Sequence, residues 1–232
     1  GNGGCAAAWI YPKSRGEGNS GKIMGKYSWE LGCNDLTGTN ISLMFVHYWA
    51  DSNGAWNSPV TIPLNAWTHV AIVYDSDATG NNPILYLNGV ATAMSEDSSP
   101  AGAITSDATS DLIVGNRATS GGGITSTKTF DGYIMDVKIY KNVAVTAAQV
   151  AGMAKKINVE STDPNLPTSG IQLWAKLNAS TTADSSGESN TLTAANMGSI
   201  VYDAFSVNVQ DNTTTTDGAV TVTQGKLEGL SL

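Results

Sequence analysis

Apolar and polar positions alternate in short bursts along this chain, and the clearest burst is residues 67–89, WTHVAIVYDSDATGNNPILYLNG. Val70, Ile72 and Tyr74 alternate with Ala71, Val73 and Asp75, the period of a pleated strand with one face on a core. Residues 75–83 are a run of turn formers, and Ile84 and Tyr86 begin an equal strand. Asn88-Gly89 is the two-residue hairpin signal and leads into Val90-Ala91. This segment alone predicts antiparallel strands joined by tight turns.

The remainder repeats the pattern. Residues 5–12 read as a strand ending at Pro12, and residues 22–32 and 41–49 as two more, with 34–40 turning between them. Residues 49–63, 100–110 and 118–129 are loops rich in Gly, Ser, Thr, Asp or Asn. Residues 145–154 have helical spacing, with Thr146 as N-cap. A linker composition over 159–170 precedes strand-like runs at 171–177, 191–193, 200–209 and 219–223, with 211–217 as a turn.

Several of these blocks resemble the laminin-G-like, concanavalin A-like jelly-roll family. The resemblance is carried by Cys5-Ala-Ala-Ala-Trp-Ile-Tyr-Pro12, Trp67-Thr-His-Val70, Leu85-Tyr-Leu-Asn-Gly-Val90, Ser110-Asp-Leu-Ile-Val-Gly-Asn116 and Phe130-Asp-Gly-Tyr-Ile-Met-Asp-Val-Lys-Ile-Tyr140. It implies an all-β fold, an antiparallel β-sandwich jelly roll, closed by a strand, a short polar segment and a small helix. The family's opening block, a Trp-x-Leu strand and an Asp-Ser-Ser-Gly turn, is missing from the front. Its likeness stands instead at residues 171–177 and 184–190.

The chain therefore divides into a sandwich over 1–158 that lacks its usual first strands, a linker over 159–170, and a strand segment over 171–232 resembling those missing strands. That last segment completes the same sandwich, completes a neighbouring subunit by strand addition, or begins a second repeat. An isolated strand pair is marginally stable, which favours completion of some sandwich.

Composition narrows the function classes. The 232 residues carry a net charge of -8 and 14% charged side chains, with no basic cluster, which argues against nucleic acid and anionic membrane surfaces as partners. No apolar run reaches membrane-spanning length, so membrane insertion is not expected. The chain opens on Gly1 rather than Met, as a processed product or a fragment does. Cys5 and Cys33, the two cysteines, allow one bridge or two buried thiols.

Hydrolysis of a glycosidic bond needs two carboxylates flanking it, yet Glu17, Glu30, Glu96, Glu160, Glu188 and Glu228 are scattered, without an acidic partner at strand spacing. His47 and His69 read as strand-packing or surface residues rather than members of a triad. The chain is accordingly read as no enzyme. Asp75, Asp77 and Thr79 have the D-x-D-x-T-G spacing that opens a calcium loop and offer the hard oxygen ligands Ca2+ takes. Tyr86 stands where the closing Glu belongs, and a hairpin turn whose carboxylates bond their own backbone fits the same residues. The family resemblance implies calcium at the sandwich rim, which adds Asp51, Asn53 and Asp107 as candidates.

Tyr48, Trp49, Asp51, Asn53, Trp56 and Asn57 combine rings with planar polar groups in one loop, the pairing a glycan-binding site needs. Packing of Trp49 and Trp56 under the loop is the alternative, while Trp9, Trp29, Trp67 and Trp174 lie on strands read as core. Glycan-acceptor triplets begin at Asn40, Asn178 and Asn212. Low charge, abundant Ser, Thr, Asn and Gly, and displaced opening strands suit a non-catalytic structural or adhesion module of an extracellular or virion-surface assembly. Such a module associates with itself or with neighbouring subunits; the resemblance implies phage fibres, capsid decorations and adhesins as its type. A lectin-like carbohydrate-binding module that takes cell-surface glycan is the rival reading, and a hydrolase whose carboxylates converge in space is the third.

Overall fold

A computed structural model describes residues 3–155, 166–167, 169–177, 183–195, 207–209 and 219–223. In chain order the strands are β1 (Gly4–Pro12), β2 (Lys22–Lys26), β3 (Trp29–Thr37), β4 (Asn40–His47), β5 (Gly54–Asn57), β6 (Ile62–Pro63), β7 (Thr68–Tyr74), β8 (Ile84–Leu87), β9 (Val90–Thr92), β10 (Ser95–Ser98), β11 (Leu112–Val114) and β12 (Gly132–Lys141). One helix, α1 (Ala147–Lys155), precedes β13 (Ile171–Ala175), β14 (Thr191–Ala195), β15 (Val207–Val209) and β16 (Ala219–Thr223). Among the described residues, β13-β12-β1-β7-β8-β9 lie side by side in one sheet, with β15 also against β12. The other sheet runs β10-β5-β4-β3-β2-β11-β16-β14, with β6 beside β4. The result is an antiparallel β-sandwich jelly roll.

Strand alternation builds the core. Ala6, Ala8 and Ile10 of β1 and Val70, Ile72 and Tyr74 of β7 face Leu31 and Cys33 of β3 and Leu43 and Phe45 of β4 between the sheets. β1 is apolar on its other face too, because Cys5 and Ala7 join Ala71 and Tyr140 under Val150 and Met153 of α1. That double burial is why CAAA reads as a continuous apolar run. The cysteines therefore lie in different layers as free, buried thiols, and burial pushes each up to about 12.

Local chemistry sets the turns. Asn88 and Gly89 both have positive φ, 50° and 81°, as a tight hairpin between Leu87 and Val90 demands. A Cβ at Gly89 would also stand 2.8 Å from the Cα of Ala151, so α1 packs directly on this glycine. The helix starts with a capping box: the Gln149 N–H donates to Thr146 Oγ1 (3.3 Å), and the Thr146 N–H donates to Gln149 Oε1 (2.8 Å).

The C-terminal strands extend both sheets of this same sandwich. β13 runs along β12, with Leu173 opposite Ile139 and Ala175 opposite Val137, and β16 pairs with β11 through Val222 and Leu112. Asp136 sits where β12 skips a residue against β1, at φ 53°. Its Oδ1 accepts the Trp174 indole N–H (2.7 Å), and Oδ2 lies 2.5 Å from Lys138 Nζ. Asp184 closes the Asp-Ser-Ser-Gly turn by accepting the N–H groups of Trp174 (3.1 Å), Ser186 (2.8 Å) and Asn190 (3.1 Å).

Two expectations need correction. The loop over 49–63 contains β5 and β6, and the polar run Ser95–Ser98 forms β10. Pairing along a sheet edge, Ser95 with Asn57 and Glu96 with Trp56, orders this backbone without an apolar pattern of its own. Trp67 is half-exposed and meets Tyr11 and Tyr133 at 5.6 and 6.3 Å between ring centres, outside the inter-sheet core. The linker over 159–170 lies mostly outside the described residues, as do Asn178, Asn212, most of the 200–209 run and the 211–217 turn.

Candidate functional site

The aromatic loop residues separate into two groups. Phe45 and His47 point inward from β4 and meet Trp56, Trp49 and Tyr74 with ring centres 5.4–6.4 Å apart. Trp56 is 1% exposed and Trp49 7%, and the Trp56 indole N–H donates to Asn82 Oδ1 at 2.8 Å. Neither ring offers a face to a ligand, which corrects their expected role as sugar platforms. Asp51 is exposed in the loop after β4. Asn57, on β5, accepts a hydrogen bond from Asn34 Nδ2 at 2.9 Å. Tyr48 and Asn53 of the expected set do come together at a cleft.

The cleft is built on the face of the β4 sheet turned away from the core. Trp29 and Leu31 point inward, so Glu30 between them points outward. Its carboxylate holds Lys22 Nζ on one oxygen and Arg117 Nε on the other, each at 2.8 Å. Arg117 Nη2 then donates to the Tyr48 hydroxyl at 2.5 Å. The loop carrying Arg117 leaves β11 and is held from below by the fully buried Asn116. Asn116 Oδ1 accepts the Arg117 N–H (2.7 Å) and the Thr125 hydroxyl (3.2 Å), while its Nδ2 donates to Thr129 Oγ1 (3.2 Å). The loop tip closes through the Thr119 N–H to the Gly123 carbonyl at 2.8 Å. Tyr27, Tyr48, Asn53, Thr105, Arg117 and Thr125 thereby wall a cleft of about 390 Å³, with Tyr27 38% exposed.

Two members of this arrangement, Tyr48 and Arg117, have their pKa values shifted upward. Burial, then the Glu30 charge, push the Tyr48 hydroxyl up to about 12. Burial alone would lower Arg117, but Glu30 and Tyr48 outweigh it and raise it. Behind the cleft Asp107 lies 3.4 Å from Lys26 Nζ and accepts the Ser28 hydroxyl at 2.6 Å. Asp107, expected as a candidate cation ligand, is thus a buried partner of Lys26 and Ser28.

The expected calcium loop closes on itself. Asp75 Oδ1 accepts the Asp77 N–H at 3.0 Å, and the Asp75 carbonyl accepts Asn81 Nδ2 at 2.9 Å. Asp77 and Thr79 are exposed. Among the described residues no group of three or more His, Cys, Asp or Glu is placed to hold a metal ion. The block is a turn in which the Asp75 carboxylate serves the backbone of Asp77. Asp75 also borders a second hollow of about 410 Å³, beside Tyr74, Asn82, Ile84 and Val145.

Sequence reading missed Glu30, Tyr27, Thr105, Thr125 and Arg117. The available signal was an Arg opening a Gly/Ser/Thr loop in a chain with only 12 Lys and Arg; its convergence with Glu30 depends on β11 and β3 sharing a sheet. No helix among the described residues is long and apolar enough to cross a membrane.

Residues 1–151 match the family model for the concanavalin A-like lectin/glucanases superfamily, and the chain belongs to that superfamily. It is similar to a candidate carbohydrate binding protein from Bacteroides ovatus ATCC 8483, with TM-score 0.55 and 19% identity over 77% of this chain and 46% of that one. The chain thus spans about half the length of that protein. It is also similar to a native heptameric SAP-like pentraxin from Limulus polyphemus, with TM-score 0.49 and 19% identity over 68% of this chain and 71% of that one. No curated protein matches the sequence.

Proposed function

We propose that this chain is a non-catalytic carbohydrate-binding module and that the cleft walled by Tyr27, Tyr48, Asn53, Thr105, Arg117 and Thr125 is its sugar seat. The observation that carries the reading is the half-exposed Tyr27 ring beside hydrogen-bonding groups fixed in place by Glu30 and Asn116. Sugars present an apolar face to a ring and hydroxyls to directed polar groups, so this combination matches their chemistry. The volume of about 390 Å³ falls within the roughly 300–1,000 Å³ of small-ligand sites. Glu30 has both oxygens in ion pairs, which suits it to positioning rather than to proton transfer. Superfamily membership and the binding role named for the Bacteroides ovatus protein support the same reading. A structural role in an extracellular or virion-surface assembly is the other reading and rests on low charge, abundant Ser, Thr, Asn and Gly, and the displaced opening strands. The pairing of β13 with β12 and of β16 with β11 within one chain needs no second copy.

Oligosaccharide binding by the full chain, followed by calorimetry, tests the proposal. A Tyr27→Ala variant is expected to keep its unfolding midpoint while its affinity drops roughly 3- to 10-fold, the scale of one aromatic contact. Absence of binding across a broad glycan array would overturn the reading.

A further inference from the structure

We infer that the ligand of this cleft is an anionic glycan, one that carries a carboxylate or a sulfate ester on the sugar seated against Arg117; the inference rests on the cleft being a sugar seat. The chain as a whole has a net charge of -8, yet its cleft is a local positive focus. Lys22 and Arg117 share the single carboxylate of Glu30, and Lys26 is matched by Asp107 behind them, so this cluster carries one positive charge in excess. Asp111 attracts Lys26 while Lys141 repels it, so these two outer charges offset each other in sign. Asp111 lies beneath the loop tip at Gly122 and Asp51 beside Gly102, and neither bonds the guanidinium.

The orientation of Arg117 gives the excess charge a direction. Its Nε faces Glu30 and one Nη2 N–H meets the Tyr48 hydroxyl, so the side edge of the guanidinium is occupied. The end edge, Nη1 with the second Nη2 N–H, has no hydrogen-bond partner among the described residues. The side chain is 37% exposed and lines the cleft. Two parallel N–H groups on a planar fork fit the paired oxygens of a carboxylate or sulfate. Because Glu30 and Tyr48 already hold the plane of the fork, little side-chain freedom remains to be lost when the anion arrives. The hydroxyls of Tyr27, Thr105 and Thr125 stand around the same space and can serve the ring hydroxyls of the sugar.

The test is an array of glycans in matched sets, each backbone offered as the neutral sugar, as the uronic acid with its methyl ester, and as the sulfated form with its desulfated counterpart. The full chain is expected to bind an acidic member at least 10-fold more tightly than its neutral counterpart, with affinity falling as salt is raised. Preference for the free uronate over its ester identifies a carboxylate ligand; preference for the sulfated form identifies a sulfate; either supports the inference. The comparison uses the unaltered protein, so it does not depend on any variant folding. Arg117→Gln adds a second arm, in which the ratio between acidic and neutral partners is expected to collapse to about one while the unfolding transition stays cooperative. Equal binding of acidic and neutral partners would overturn the anionic ligand and leave the sugar seat standing. Absence of binding to every set would overturn the sugar seat, and the inference with it.

Discussion

Trp56 lies between Phe45 and Tyr74, with ring centres 6.0 and 5.4 Å away, and its indole N–H rests on Asn82. Gly54 packs beneath it so closely that a Cβ there would stand 2.2 Å from the ring. These neighbours make Trp56 a packing residue. Trp56→Ala is expected to cost about 3–5 kcal/mol of stability, as large buried aromatics do, read as a lower denaturant midpoint. Sugar affinity measured where the variant is still folded should change less than in Tyr27→Ala. From the sequence, a Trp in an Asp/Asn-rich loop suits either role, because composition does not record which way a side chain points. Tyr48 and Asn53 were legible as polar groups near a ring, whereas Arg117 had no pattern to announce it. Its partners Glu30 and Tyr48 lie 87 and 69 positions earlier in the chain, a separation no short motif spans.

Each sheet carries one histidine on a long strand, His47 on β4 and His69 on β7. His47 packs among Phe45, Trp49 and Tyr74, and His69 against Trp9 at 5.5 Å. Burial lowers both from 6.5 to about 4. Between those values the unfolded chain binds more protons than the folded one, so stability is fully present above about pH 6.5 and falls as pH drops toward 4. The loss reaches about 3 kcal/mol for each histidine. Urea midpoints measured across this range should fall with acidity, and His69→Phe, which keeps a ring but carries no proton, should flatten the slope. Elements with their own periodicity or turn chemistry were legible: β7, β8, the Asn88-Gly89 hairpin and α1 all stand where the pattern places them. β5 and β10 were not, because an edge strand takes its order from the neighbour it pairs with.

At the scale of the whole molecule, the strands after residue 170 supply edges to both sheets. Leu173, Ala175, Leu177 and Leu192 enter the common core, and Trp174 is tied to Asp136 beside a nearly unexposed Lys138. A chain ending at Ser169 is therefore expected to lose cooperative thermal unfolding, because β12 and β11 would present open edges beside an uncovered core. The full chain should run as a monomer in light scattering. A truncated form that stays folded would make the tail a separate unit, and assemblies of the full chain that grow with concentration would place its strands on a neighbour. The sequence by itself determined the all-β class, the principal hairpin, the capped helix and the superfamily, since strand period, turn residues and capping groups act over a few neighbouring positions. Only the tertiary structure set β13 beside β12 and β16 beside β11, turned Trp49 and Trp56 inward, and brought Glu30, Tyr48 and Arg117 into one cluster. Those outcomes depend on which distant strands become neighbours, and that is settled by burying apolar surface and pairing strand backbones across long stretches of chain.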